Sequence, residues 1–194
     1  MDRKNFGFSL IELLIAMVLV AILAAIAIPG YQALIKGSRI TSMTNTLLSD
    51  IRLARSEAIK RQERSALCRS DNPTAVSPSC GGTANDWSDG WLVYVAGPTN
   101  LSNPLIYNAA TDVLLKVGLP AELGITIKTD ADADLALQFN GDGSSGEIDV
   151  AVYAICDDRD GDGDLDKAYG RQVNVSLVGR GSATDNVLSC DAPT

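Results

Sequence analysis

The amino-terminal part of the chain is apolar in two different ways. From Phe8 to Ile28 nearly every side chain is apolar, and Glu12 is the only charge. A helix rising about 1.5 Å per residue crosses a bilayer core in about 20 residues, so this stretch predicts a membrane-spanning helix. Arg3 and Lys4, just ahead of it, would hold its start on the cytoplasmic side. An ionisable group inside such a segment is costly and points to a functional partner, which singles out Glu12. Beyond Pro29-Gly30, a pair that predicts a kink, the apolar positions narrow to a stripe. Tyr31, Leu34, Ile35, Met43, Leu47, Ile51, Ala54, Ala58 and Ile59 recur at three- and four-residue steps. Lys36, Arg39, Asp50, Arg52, Arg55 and Lys60 fill the other faces. The pattern is that of one long helix from about Ser9 to about Arg61, membranous in its first half and amphipathic in its second.

From Ala66 onward the period shortens to two and turn residues become dense. Trp91–Val95, Val113–Val117, Ile125–Lys128 and Leu135–Phe139 read as strands, and Asn140-Gly141 marks a tight turn. Ile148–Cys156 and Gln172–Val178 alternate well and are expected to pair as neighbours; Asn186–Cys190 is a candidate short last strand. A helix followed only by strands predicts an α+β subunit. In it, a long helix, transmembrane then amphipathic, packs on an antiparallel sheet or small β-sandwich.

Composition narrows the function. With 194 residues the chain fits one domain and a membrane helix. Its net charge of −8 repels phosphate backbones unless the few basic residues cluster. It contains no histidine, which removes the usual general base and the commonest metal ligand, so no enzymatic activity is expected. The four cysteines, Cys68, Cys80, Cys156 and Cys190, include no CxxC pair; in an exported domain they read as two disulfides. Of three possible pairings, Cys68–Cys80 with Cys156–Cys190 is preferred, because each closes a turn-rich segment between candidate strands.

The junction Gly7-Phe8-Ser9-Leu10-Ile11-Glu12 closely resembles the class III signal of type IV pilins and type II secretion pseudopilins. The resemblance implies cleavage by prepilin peptidase between Gly7 and Phe8, with N-methylation of Phe8. It also implies that Glu12 pairs with the new α-amino group of a neighbouring Phe8 in the filament. An unpaired Glu12 in that poorly solvated helix core would penalise a wrong register. The domains are then a leader over 1–7, a membrane and polymerisation helix over 8–29, its amphipathic continuation over 30–62, and a β-rich head over 63–194. The subunit would sit in the inner membrane with its head in the periplasm before joining a pilus or pseudopilus. Its implied partners are other minor pilins, the major pilin, prepilin peptidase and the inner-membrane assembly platform.

A narrower resemblance rests on Leu53-Ala54-Arg55-Ser56-Glu57-Ala58-Ile59-Lys60-Arg61, Cys68, Asp86-Trp87-Ser88-Asp89-Gly90-Trp91-Leu92-Val93-Tyr94, Phe139-Asn140-Gly141 and the segment from Arg171 to Arg180. These are similar to the GspH/FimT/FimU branch, whose members are minor pilins or minor pseudopilins of an initiating or tip complex. The expected function is therefore a minor type IV pilin, with a minor pseudopilin of a type II secretion system and a DNA-binding competence pilin as the alternatives. Some FimT-like pilins bind DNA through a carboxy-terminal GRxR element. Here Gly179-Arg180-Gly181-Ser182 keeps one of its arginines, Arg180, so DNA is not an expected partner. Trp87 and Trp91 are expected in the core rather than stacked on bases.

One further cluster suggests chemistry. In Asp158-Arg159-Asp160-Gly161-Asp162-Gly163-Asp164-Leu165-Asp166 alternate carboxylates with glycines resemble a non-EF calcium loop. Asp158, Asp160 and Asp162 match the first, third and fifth positions, Gly163 the sixth and Asp166 the ninth, with Asp164 in the same loop. The twelfth position departs from the pattern, being Tyr169 rather than a bidentate Glu. Calcium is the one cofactor the sequence suggests. Gly141-Asp142-Gly143-Ser144-Ser145-Gly146 has the spacing of a dinucleotide fingerprint, but Glu147 and a strand pattern follow it, so it reads as a hairpin loop.

Overall fold

A computed structural model describes residues 9–100, 106–122, 124–130, 135–146, 149–158, 164–185, 187 and 189–191. The helix α1 runs from Leu10 to Arg61 with unbroken helical backbone across Pro29-Gly30. It stops where Gln62 takes a left-handed φ of 55° and Glu63 N donates back to Ala58 O at 3.3 Å. Lys60 and Arg61 in its last turn lie favourably against the negative helix end. The chain divides into two compact units, Met1–Gly37 and Ser38–Thr194, so the helix from Ser38 onward belongs to the head.

Among the described residues eight strands follow: β1 Ser65–Arg69, β2 Trp91–Val95, β3 Val113–Gly118, β4 Ile125–Thr129, β5 Ala136–Phe139, β6 Ala151–Asp157, β7 Arg171–Val175 and β8 Gly181–Thr184. They form two four-stranded antiparallel sheets, ordered β3-β2-β1-β5 and β4-β6-β7-β8. The expected neighbours β6 and β7 pair, with Tyr153 opposite Val173.

One core joins helix and sheets. Ile40, Leu47, Ile51, Ala54 and Ala58 of α1 are buried with Leu67, Val93, Leu137, Tyr153, Ile155 and Val173. Trp87 lies edge-on to Tyr153, ring centres 5.2 Å apart, and both rings are fully buried. Strands β1 and β2 are buried along their whole length because their second face has its own cover, an apolar cluster of Ala66, Cys68, Leu92, Tyr94, Ala96 and Ala136. A strand closed on both faces loses the alternation by which sequence reveals it.

Several expectations shift. Asp50, placed on the polar side of the stripe, is fully buried, whereas Tyr31 and Leu34, placed on the apolar side, are exposed. Strand β7 ends at Val175 rather than Val178, because Gly179 adopts a left-handed φ of 74° and turns the chain back. The last strand is Gly181–Thr184, pairing with β7; Val187, Ser189 and Cys190 are not in a strand. The Asn140 turn is as expected, with Gly143 N donating to Asn140 O at 2.8 Å.

Candidate functional site

The stem begins with a cap. Ser9 precedes the first helical residue; its carbonyl accepts from Leu13 N at 3.2 Å and its hydroxyl from Glu12 N at 3.3 Å. Ser followed three residues later by Glu is the capping-box pattern, so Glu12 is placed one turn into the helix. Gly7 and Phe8, the expected processing pair, lie outside the described residues. Around Glu12 the apolar surface is bare: Leu10, Leu13, Val20, Leu23 and Ile26 are each more than half exposed. The helix is long and apolar enough to cross a membrane, and none of its most apolar stretch is buried within the chain. Such a surface is stable only against lipid or against other apolar helices.

The head is stapled at two places. Cys68 on β1 is bonded to Cys80, and Cys156 on β6 to Cys190. The first ties the segment after β1 to the sheet; the second pins the chain after β8 against β6, where Val187 and Cys190 pack on Ala154 and Cys156.

The segment leading into β2 is clipped to β4 of the second sheet by Asp86 and Lys128, whose Oδ2 and Nζ are 2.7 Å apart. Trp87 N also donates to Ile127 O at 2.8 Å, and Ser88 N to Asp86 Oδ1 at 2.9 Å. Burial pushes the Asp86 carboxyl up, but the hydrogen bonds from Lys128 and Ser88 outweigh it and hold the group below its ordinary value. Tyr94 is driven the other way, well above the ordinary phenol value, by burial and then by the negative charge of Asp112.

Of the aspartate loop, Asp160 and Asp162 lie outside the described residues. Its ends meet where Asp166 N donates to Asp157 O at 2.8 Å, and a short 3-10 turn, Lys167–Tyr169, follows. Among the described residues no three acidic or cysteine side chains are grouped to hold a metal ion. Arg180, by contrast, gains company that sequence reasoning missed. It shares a cleft of about 250 Å³ with Arg52 and Arg55 of α1. The glycine-rich loop is the predicted turn: Asp142 Oδ1 accepts from Ser144 N and Oγ at 2.8 and 2.7 Å, bonds that hold its carboxyl below the ordinary value.

A capped, exposed apolar stem on a disulfide-stapled α+β head defines a pilin-like subunit, fit for membrane anchoring and assembly. The chain matches the family model described as "Type II transport protein GspH" over residues 43–179 and the prokaryotic N-terminal methylation motif over residues 2–28. It belongs to the GspH family. Its fold is similar to that of the type IV minor pilin FimU from Pseudomonas aeruginosa (strain PAO1), seen in two crystal forms. One matches with a TM-score of 0.53 at 20% identity over 79% of this chain and 96% of that one. The other matches with a TM-score of 0.48 at 19% identity, over 74% and 91%. No curated protein sequence matches the chain.

Proposed function

We propose that this protein is a minor type IV pilin of the initiating or tip complex, a structural subunit that works by assembly rather than catalysis. One observation carries the reading. The stem from Leu10 to Ile28 is apolar and exposed, with Glu12 its one charge, while the head from Ser38 closes its own core. Such a subunit rests with its stem in lipid and its head in the periplasm. On assembly it trades lipid for neighbouring stems, and the cost of an unpaired Glu12 fixes the register. The likeness to the FimU fold, over 79% of this chain, supports the minor-pilin side. The family description supports a second reading, a minor pseudopilin of a type II secretion system, with the same physics in another machine.

Mass spectrometry of sheared surface filaments, quantified against the major pilin, separates these. A trace peptide starting at methylated Phe8 is expected. Abundant protein would make it a body subunit, and processed protein absent from filaments but retained in the envelope would favour the pseudopilin.

A further inference from the structure

Arg55 is held in a backbone clamp. Its Nε donates to Gly143 O and its Nη2 to Val178 O, both at 2.9 Å. It reaches them because Gly179 has no side chain: a Cβ there would stand 2.1 Å from Gly143 O and 2.9 Å from Arg55 Nε. The turn after β7 is fixed in the same place, with Gly179 N donating to Ser176 O at 2.7 Å and Ser176 N to Arg180 O at 3.1 Å. The clamp therefore presents Arg180 across the cleft from Arg52. Both are exposed, and among the described residues neither guanidinium makes a hydrogen bond or ion pair.

Most other basic side chains described on this surface are paired. Arg39, Lys60, Arg61, Lys116, Lys128 and Arg171 each sit against a carboxylate. In a chain of net charge −8, two unpaired arginines beside a third, locked one form a local positive well. Planar guanidiniums are suited to bidentate oxyanions. The border decides which oxyanion: Ile59 lines the cleft and is 42% exposed, and Val178, whose carbonyl Arg55 holds, is 66% exposed. A phosphate backbone offers such side chains nothing, and the acidic surface repels a long polyanion. An acidic peptide with apolar neighbours satisfies both parts.

We propose that the cleft between α1 and the β7–β8 turn docks an acidic segment of a neighbouring pilin subunit, with its carboxylates held by Arg52 and Arg180. The proposal rests on the assembly reading above and names the chemistry of one of its contacts. Arg55 acts as a positioning residue through the turn it clamps.

The test uses the full chain in detergent micelles and a short fluorescent peptide alternating glutamate and leucine, read by anisotropy at low salt. A dodecamer oligodeoxynucleotide serves as the competing polyanion. Peptide binding is expected to weaken about tenfold or more in the Arg52→Ala/Arg180→Ala double variant, with an unchanged melting transition. Arg52→Lys/Arg180→Lys should fall between, since charge remains but the fork is lost. Arg55→Ala should lower both affinity and melting temperature. No peptide binding, equal binding by the double variant, or tighter binding of the oligonucleotide than the peptide overturns the proposal. Quantifying wild-type protein in sheared filaments judges the assembly reading separately, because peptide binding in micelles needs no filament.

Discussion

Asp50, a fully buried carboxylate in the middle of the helix, accepts a hydrogen bond from Trp91 Nε1 on β2 at 3.0 Å. Its other oxygen takes Lys116 Nζ on β3 at 2.5 Å. Trp91 lies flat over Gly118, its partner across the β2–β3 ladder; a Cβ at Gly118 would come within 2.2 Å of the ring. One acidic side chain thus fastens the helix to two strands of the first sheet.

Asp50→Ala leaves the indole N–H and the Lys116 ammonium without their acceptor. Lys116 is 43% exposed and can rehydrate, while the buried indole cannot. The expected loss is about 2–3 kcal/mol of unfolding free energy, measured by urea titration of the full chain in micelles. A variant as stable as wild type would show that the fastening adds nothing.

This fastening also marks where the sequence stopped being informative. The stem was legible because its apolar run is local and its neighbours in sequence define it. So were β2, β4 and β6, and the observed cysteine pairing is the one preferred among three because each bridge closes a turn-rich segment. Asp50 was misplaced because its burial depends on an N–H and a cation from strands far along the chain. Strand β8, Gly-Ser-Ala-Thr, carries no apolar alternation and owes its pairing to the Gly179 turn. The arginine cleft was illegible for the same reason: Arg55 and the carbonyl of Val178 are 123 residues apart.

The Asp86–Lys128 clip gives stability a pH dependence of known sign. A carboxyl held below its ordinary value contributes fully above that value and loses its contribution as pH falls through the folded value. Wild type should therefore exceed Asp86→Asn in melting temperature at neutral pH. The gap should close on acidification below about pH 4, where the unfolded carboxyl also protonates. A gap that persists at the acid end would mean that Asp86 acts through its shape rather than its charge.

The two disulfides should differ in weight. Chain-entropy reasoning makes the constraint on the unfolded state grow with the loop closed, here 12 residues for Cys68–Cys80 and 34 for Cys156–Cys190. Replacing both cysteines of a pair by serine should cost about 2–4 kcal/mol. The second pair should cost about 1 kcal/mol more than the first. Equal losses in chemical denaturation, or a larger loss at the first pair, would point to native packing around Cys68 as the controlling factor.

Glu12 can act in two ways that a single truncation confuses. In a capping box its carboxylate would accept from the Ser9 N–H and support a helix start already held by the Ser9 hydroxyl. As a charge it would set register against a neighbouring subunit's amino terminus. Gln serves nearly as well as Glu in a capping box but carries no charge, so Glu12→Gln separates the two. If register is the role, Glu12→Gln and Glu12→Ala should both insert in the membrane yet fall out of sheared filaments. Ser9→Ala, which removes a cap worth about 1 kcal/mol, should still be incorporated. Capping is the role if Glu12→Gln assembles like wild type while Ser9→Ala and Glu12→Ala fail together.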